Sequence, residues 1–176
     1  MPSQENIRST FRRNARALAI VPESAHRTAV TEVSLHDGLR CEIQEGPWRL
    51  VADMSEKWGG ASGGPNPGVL GRGAIGSCLA VTIATWAAVE QIPLDSIHVR
   101  VEADYDARAI FEPLQYASGY EQVRLAVTLE SPAPEPELRR LMEFAEAATG
   151  YVDTFRRPVD VTVAAEIVST RKEAVA

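Results

Sequence analysis

The feature that most constrains this chain is its long uncharged run. No residue from Gly73 to Val89 carries a charge, and a Pro/Gly-rich loop, Pro65 to Gly68, leads into the run. The run is too long for a typical strand, and Pro67 suits a first helical turn, where its missing N–H costs nothing. The spacing predicts one helix within Pro65 to Gln91, with a bulky stripe of Ile75, Leu79, Ile83 and Trp86. A second stripe, Gly71, Ala74, Cys78, Thr82 and Thr85, is small-sided and admits close approach of another backbone. A helix apolar nearly all round is a buried helix, so this one is expected at the centre of the fold, with Cys78 on its tight-packing side. The run falls short of an ordinary membrane span and is interrupted by glycines and threonines, so no membrane is expected. The stretch Gly71-Arg72-Gly73-Ala74-Ile75-Gly76 matches G-x-G-x-x-G, but a loop precedes it where a dinucleotide fingerprint needs a buried strand. No cofactor is expected.

The rest of the chain fits one domain around that helix. At 176 residues, with 45% hydrophobic and 24% charged residues, it is long enough to bury a core. A net charge of −6 argues against a nucleic-acid partner. Two cysteines do not make a disulfide scaffold; they fit a reducing compartment, and the N-terminus lacks a secretory h-region, so the cytoplasm is the expected location. Residues 1–22 read as an N-terminal arm or short amphipathic helix carrying Ile7, Phe11, Ala15 and Leu18, and residues 23–176 as a single domain. Ala29 to Leu35, Leu39 to Gln44 and Trp48 to Met54 alternate as strands separated by His36-Asp37-Gly38 and Glu45-Gly46-Pro47 turns. Beyond the central helix, Ser96 to Tyr105 and Tyr120 to Glu130 are expected strands, with a short strand near Ile110 between them. Glu137 to Ala148 is an expected amphipathic helix stopped at Thr149-Gly150. A short segment, Tyr151 to Pro158, then leads to a last strand, Val159 to Val168, and a frayed polar tail from Ser169. This order is α+β rather than βαβ.

Gly59 to Pro67 reads GG-x-x-G-G-PNP; a cysteine in a buried helix follows, then strands, a helix and a short turn into Arg156-Arg157-Pro158-Val159. This order resembles the OsmC/Ohr family of organic-hydroperoxide-handling proteins, over roughly Val30 to Val168. The resemblance implies an intertwined α+β homodimer, with two central helices between antiparallel strand meanders and a thiol peroxidase site at the subunit interface. By position it implies Cys78 as the reactive cysteine. A thiolate attacks the peroxide O–O bond and becomes a sulfenic acid, and a guanidinium nearby keeps the thiol ionised and holds the peroxide oxygens. The family's arginine lies in the first hairpin, where Arg40 is the nearest candidate and Arg27 an alternative.

The chain departs from the family at two further positions. The asparagine-proline-glutamate motif reads Asn66-Pro67-Gly68, without its glutamate. The second cysteine, which resolves the sulfenic acid, would fall at about Gly150-Tyr151. Cys41 is then either a resolving or a structural thiol. Side chains alternate across a strand, so only one of Arg40 and Cys41 can face Cys78. Two functions remain: a hydroperoxide reductase resolved by an external thiol reductant, or a catalytically degenerate member holding a small apolar ligand at the dimer interface. No His/Cys/Asp spacing suggests a metal.

Overall fold

The computed structural model describes residues 3–169. Its elements, in chain order, are α1 (Gln4–Ile20), β1 (Glu32–Asp37), β2 (Arg40–Glu45), β3 (Trp48–Ala52), α2 (Pro67–Glu90), β4 (Ser96–Asp104), β5 (Gln122–Glu130), α3 (Glu135–Ala148) and α4 (Gly150–Arg156). The expected α+β pattern holds: β1-β2-β3 form one antiparallel sheet and β4-β5 another.

The uncharged run folds as α2, on which α1, β4, α3 and α4 all pack. Asn66 caps its start by accepting the Val69 N–H on its side-chain oxygen at 3.0 Å, with Pro67 in the first turn. Gln91 ends it in the left-handed region at φ 63°. The bulky stripe is buried as expected. Leu79 and Ile83 join Ala87, Ile92, Leu141 and Ala145 in the core, and Trp86 packs against that cluster. Trp86 also takes the ring edges of Phe11 and Phe144, at 5.1 and 4.5 Å between centroids. By length and composition alone α2 could cross a bilayer. The G-x-G-x-x-G match lies inside this helix, not at a strand-to-helix turn.

Within the chain it is Gly76, on the bulky side of α2, that meets the sheet: a β-carbon there would stand 2.9 Å from Val101 Cγ2. The stripe of Gly71, Ala74, Cys78, Thr82 and Thr85 is only half-buried, and a β-carbon at Gly71 would meet nothing within 4 Å. Small residues permit close approach without requiring it; the neighbour decides.

β4 and β5 run in register over their full length, Ser96 opposite Glu130 and Asp104 opposite Gln122. Their alternation turns Ile97, Val99, Leu125, Val127 and Leu129 onto the core. β1–β3 share a second apolar face, with Val33, Leu35, Cys41, Ile43, Leu50 and Ala52 in cross-strand register. Val33, Leu35, Leu50 and Trp48 on that face are exposed.

Three local expectations are corrected. The segment near Ile110 is a single 3₁₀ turn, Ala107–Ile110, capped by Asp106, whose carboxylate accepts the Arg108 N–H at 2.9 Å. The segment after Gly150 is helical: Thr149 breaks the chain's course only briefly, its hydroxyl donating to the Ala145 carbonyl at 2.6 Å, and α4 starts at once with Val152 buried. Val159 to Val168 joins neither sheet, and Val161, Val163 and Ile167 are 82%, 91% and 92% exposed. Alternation supplies a strand's two faces but not the neighbour whose N–H and C=O groups complete its ladder. The N-terminal segment forms a full helix, α1, whose Gln4 amide donates to the Ile92 carbonyl at 3.0 Å. Beyond Ser169 the expected tail lies outside the described residues.

Candidate functional site

Cys78 sits midway along α2, half-buried, as a free thiol. The Thr82 hydroxyl, one turn on, donates to its backbone carbonyl at 2.8 Å. Serine and threonine bond back to the preceding turn in this way inside helices.

Arg40 opens β2 and is ion-paired to Glu42 at 2.8 Å. Residues two apart on a strand share a face, which makes this pair possible. The Arg40 guanidinium, donating to the Glu42 carboxylate, holds that acid below its ordinary value. The arginine stem also reaches the glycine loop: a β-carbon at Gly63 would stand 3.8 Å from Arg40 Cδ. Cys41 points to the opposite face, across from Leu35 and Ala52, and is half-buried. Arg27, the alternative to Arg40, donates to the Ser24 carbonyl at 3.2 Å; further along the chain, Arg156 pairs with Glu146 and Arg157 with Asp153. Among the described residues no hydrogen bond or ion pair links Arg40 or Cys41 to Cys78.

The loop between β3 and α2 is organised by Asp53, whose side chain is buried. Its carboxylate accepts backbone N–H groups from Gly63 at 2.8 Å, Ala61 at 3.2 Å and Met54 at 2.7 Å. The Gly63 N–H, ahead of the others and of nearby Arg40, keeps this carboxyl below its usual range. The glycines make the wrap possible, since a β-carbon at Gly60 would fall 1.9 Å from the Met54 carbonyl oxygen.

This loop and the start of α2 border a cavity of about 570 Å³ that the sequence reading did not anticipate. Its walls include Trp58, Tyr105, Ile110 and Tyr120, and Arg72 is the only charged residue among those lining it. Arg72 Nη1 donates to the Tyr120 hydroxyl at 3.1 Å, and that hydroxyl donates in turn to the Gly68 carbonyl at 3.4 Å. A β-carbon at Gly68 would stand 3.1 Å from Arg72 Nη1. The guanidinium therefore occupies the space into which a side chain at position 68 would grow. One signal was legible: Arg72 is the only charge between Lys57 and Glu90.

Fold and site together define an α+β protein with a cysteine on a central helix and a glycine loop that leads the chain into it. The match to the OsmC-like protein family covers residues 59–164, well over half of the chain, and the protein belongs to that family. A comparison with curated proteins returned no match. Among solved structures it is similar to an OsmC-like protein of Mycoplasma pneumoniae, with a TM-score of 0.64 at 14% identity over 74% of this chain and 88% of that one. It is also similar to an organic hydroperoxide resistance protein of Legionella pneumophila, with a TM-score of 0.56 at 21% identity over 74% and 90%. A Vibrio cholerae organic hydroperoxide resistance protein, solved with captopril in one of its active sites, gives 0.54 at 15% over 74% and 85%.

Proposed function

We propose that the protein is a homodimeric, thiol-dependent reductase of organic hydroperoxides in which Cys78 is the attacking sulfur. The observation that carries this reading is the presence of Cys78 on the half-exposed side of the central helix, inside the segment that matches the OsmC-like family. The Legionella and Vibrio relatives are described as organic hydroperoxide resistance proteins. In the reaction the Cys78 thiolate forms an S–O bond as the O–O bond breaks. The alkoxide leaves, takes a proton and departs as the alcohol. The cysteine is left as sulfenic acid. With no second cysteine at Gly150-Tyr151, an external thiol condenses with it, releasing water, and a second thiol restores Cys78 by exchange.

Arg40 is the proposed stabiliser of the thiolate and of the peroxide oxygens. Two features support a dimer: the exposed apolar face of β1–β3, and the exposed alternating segment after Pro158, both of which offer surface to a second copy. A reducing cytoplasm agrees with two free thiols. The test is mass spectrometry after treatment with cumene hydroperoxide and a thiol. Oxygen or thiol added at Cys78, lost in Cys78→Ser together with peroxide consumption, is the expected result. Consumption that survives in Cys78→Ser rejects the mechanism. A second reading, a binding protein without turnover, is favoured by the cavity at the start of α2 and by the replacement of the family's glutamate with Gly68.

A further inference from the structure

We infer that the cavity at the start of α2 binds an organic monocarboxylate with an apolar body, and that Arg72 is the residue that receives the carboxylate. The inference deepens the binding reading and does not depend on the reactivity of Cys78, which is not among the cavity's lining residues.

Charge carries the argument. The chain has a net charge of −6, yet the cavity walls hold one charged residue, and it is a cation. Among the described residues Arg72 has no carboxylate within ion-pair distance, unlike Arg40, Arg108, Arg124 and Arg139, each of which has one. A guanidinium carries five N–H donors in a planar fork that matches a carboxylate. The structure engages Nη1 with the Tyr120 hydroxyl. That bond, relayed to the Gly68 carbonyl, fixes the guanidinium over the helix start. A carboxylate side chain at position 68 would lie beside Arg72 and neutralise it; glycine leaves the cation uncompensated.

The walls set the rest of the ligand. Tyr105 and Tyr120 meet edge to face at 6.3 Å, and Trp58 is braced by stacking on Phe111 at 5.8 Å. With Met54, Ile110 and Pro67 they form apolar sides around the single cation. About 570 Å³ is within the usual range for small-molecule sites, which are apolar with a few convergent polar groups. A neutral apolar ligand would leave the guanidinium unpaired, and a polyanion would find only one cation. A monoanion with a flat apolar body satisfies both.

The probe is 1-naphthoate, with 1-naphthylmethanol as its neutral counterpart, titrated into the full chain by calorimetry. Naphthoate should bind the native protein and the alcohol more weakly. Arg72→Gln should weaken naphthoate roughly 10- to 100-fold, as loss of a charge-assisted pair does, and leave the alcohol unchanged. Gly68→Glu should weaken naphthoate comparably while keeping Arg72, so a folding defect in one variant does not decide the result. Cys78→Ser should bind naphthoate as the native protein does, which separates this inference from the peroxidase reading. No naphthoate binding, equal binding of acid and alcohol, or affinity untouched by both Arg72→Gln and Gly68→Glu would overturn it.

Discussion

The packing of α2 on β4 can be tested by making one substitution at two positions of the same helix. Gly76 and Gly73 lie three residues apart within α2. Replacing either with alanine gains about 1 kcal/mol of helix propensity. At Gly73 the new β-carbon meets nothing within 4 Å, so the gain should appear in full. At Gly76 the β-carbon would stand 2.9 Å from Val101 Cγ2 and 3.9 Å from Val99 Cγ1. Val101 is β-branched and stiff at χ1, so it cannot swing aside cheaply. Overpacking of this kind costs about 1–3 kcal/mol. Propensity cancels in the comparison, leaving Gly76→Ala about 1–3 kcal/mol less stable than Gly73→Ala. For a domain of this size that is a difference in Tm of roughly 2–12 °C. Urea unfolding of both variants, with unchanged m-values, measures it. Equal stabilities would refute the close approach of α2 to the sheet. A Gly73→Ala shift that depends on protein concentration would instead report a subunit contact at Gly73, because association couples to apparent stability.

The remaining expectations are as direct. Asp53 is held below its ordinary 3.8, so its contribution to stability is fully present above that pH and is lost as pH falls through the lower folded-state value. Asp53→Asn should therefore lower Tm at neutral pH and flatten the acid limb of the Tm profile below about pH 4; superimposable acid limbs would reject the role given to its three N–H bonds. If the exposed segment after Pro158 pairs with a second copy, Val163→Asp should raise the dimer dissociation constant, read by sedimentation equilibrium. Val163 is 91% exposed in the single chain; burying a valine is worth about 1.5–3 kcal/mol, so the shift should be roughly tenfold to hundredfold. A native protein that sediments as a monomer would sink that reading. Because Arg40 and Cys41 face opposite sides of β2, Cys41→Ser should leave hydroperoxide consumption intact, and a Cys41–Cys78 disulfide found under mild oxidation would contradict it.

What the sequence made legible, and what it did not, follows from where each signal resides. The course of α2 was readable because its cause is local: an absent charge, a proline at the right turn, and Ile75, Leu79 and Ile83 recurring on one face. β4 and β5 were readable because each states its own inward face. α4 was not, because seven residues with one buried valine give too few turns for a period, and only packing on α2 makes them a helix. The cavity was invisible for a related reason: Arg72 and Tyr120 stand 48 positions apart and meet only once β5 has docked beside β4. Cys78 is the intermediate case. The family resemblance located it, but α2 is finished on the Gly76 side and open along Gly73, Ser77 and Val81. Under the proposed function, a second copy that closes the open side of this helix completes the environment of the thiol. The chain also leaves apolar surface outside: Val33, Leu35 and Leu50 on one sheet, and Val161, Val163 and Ile167 beyond it.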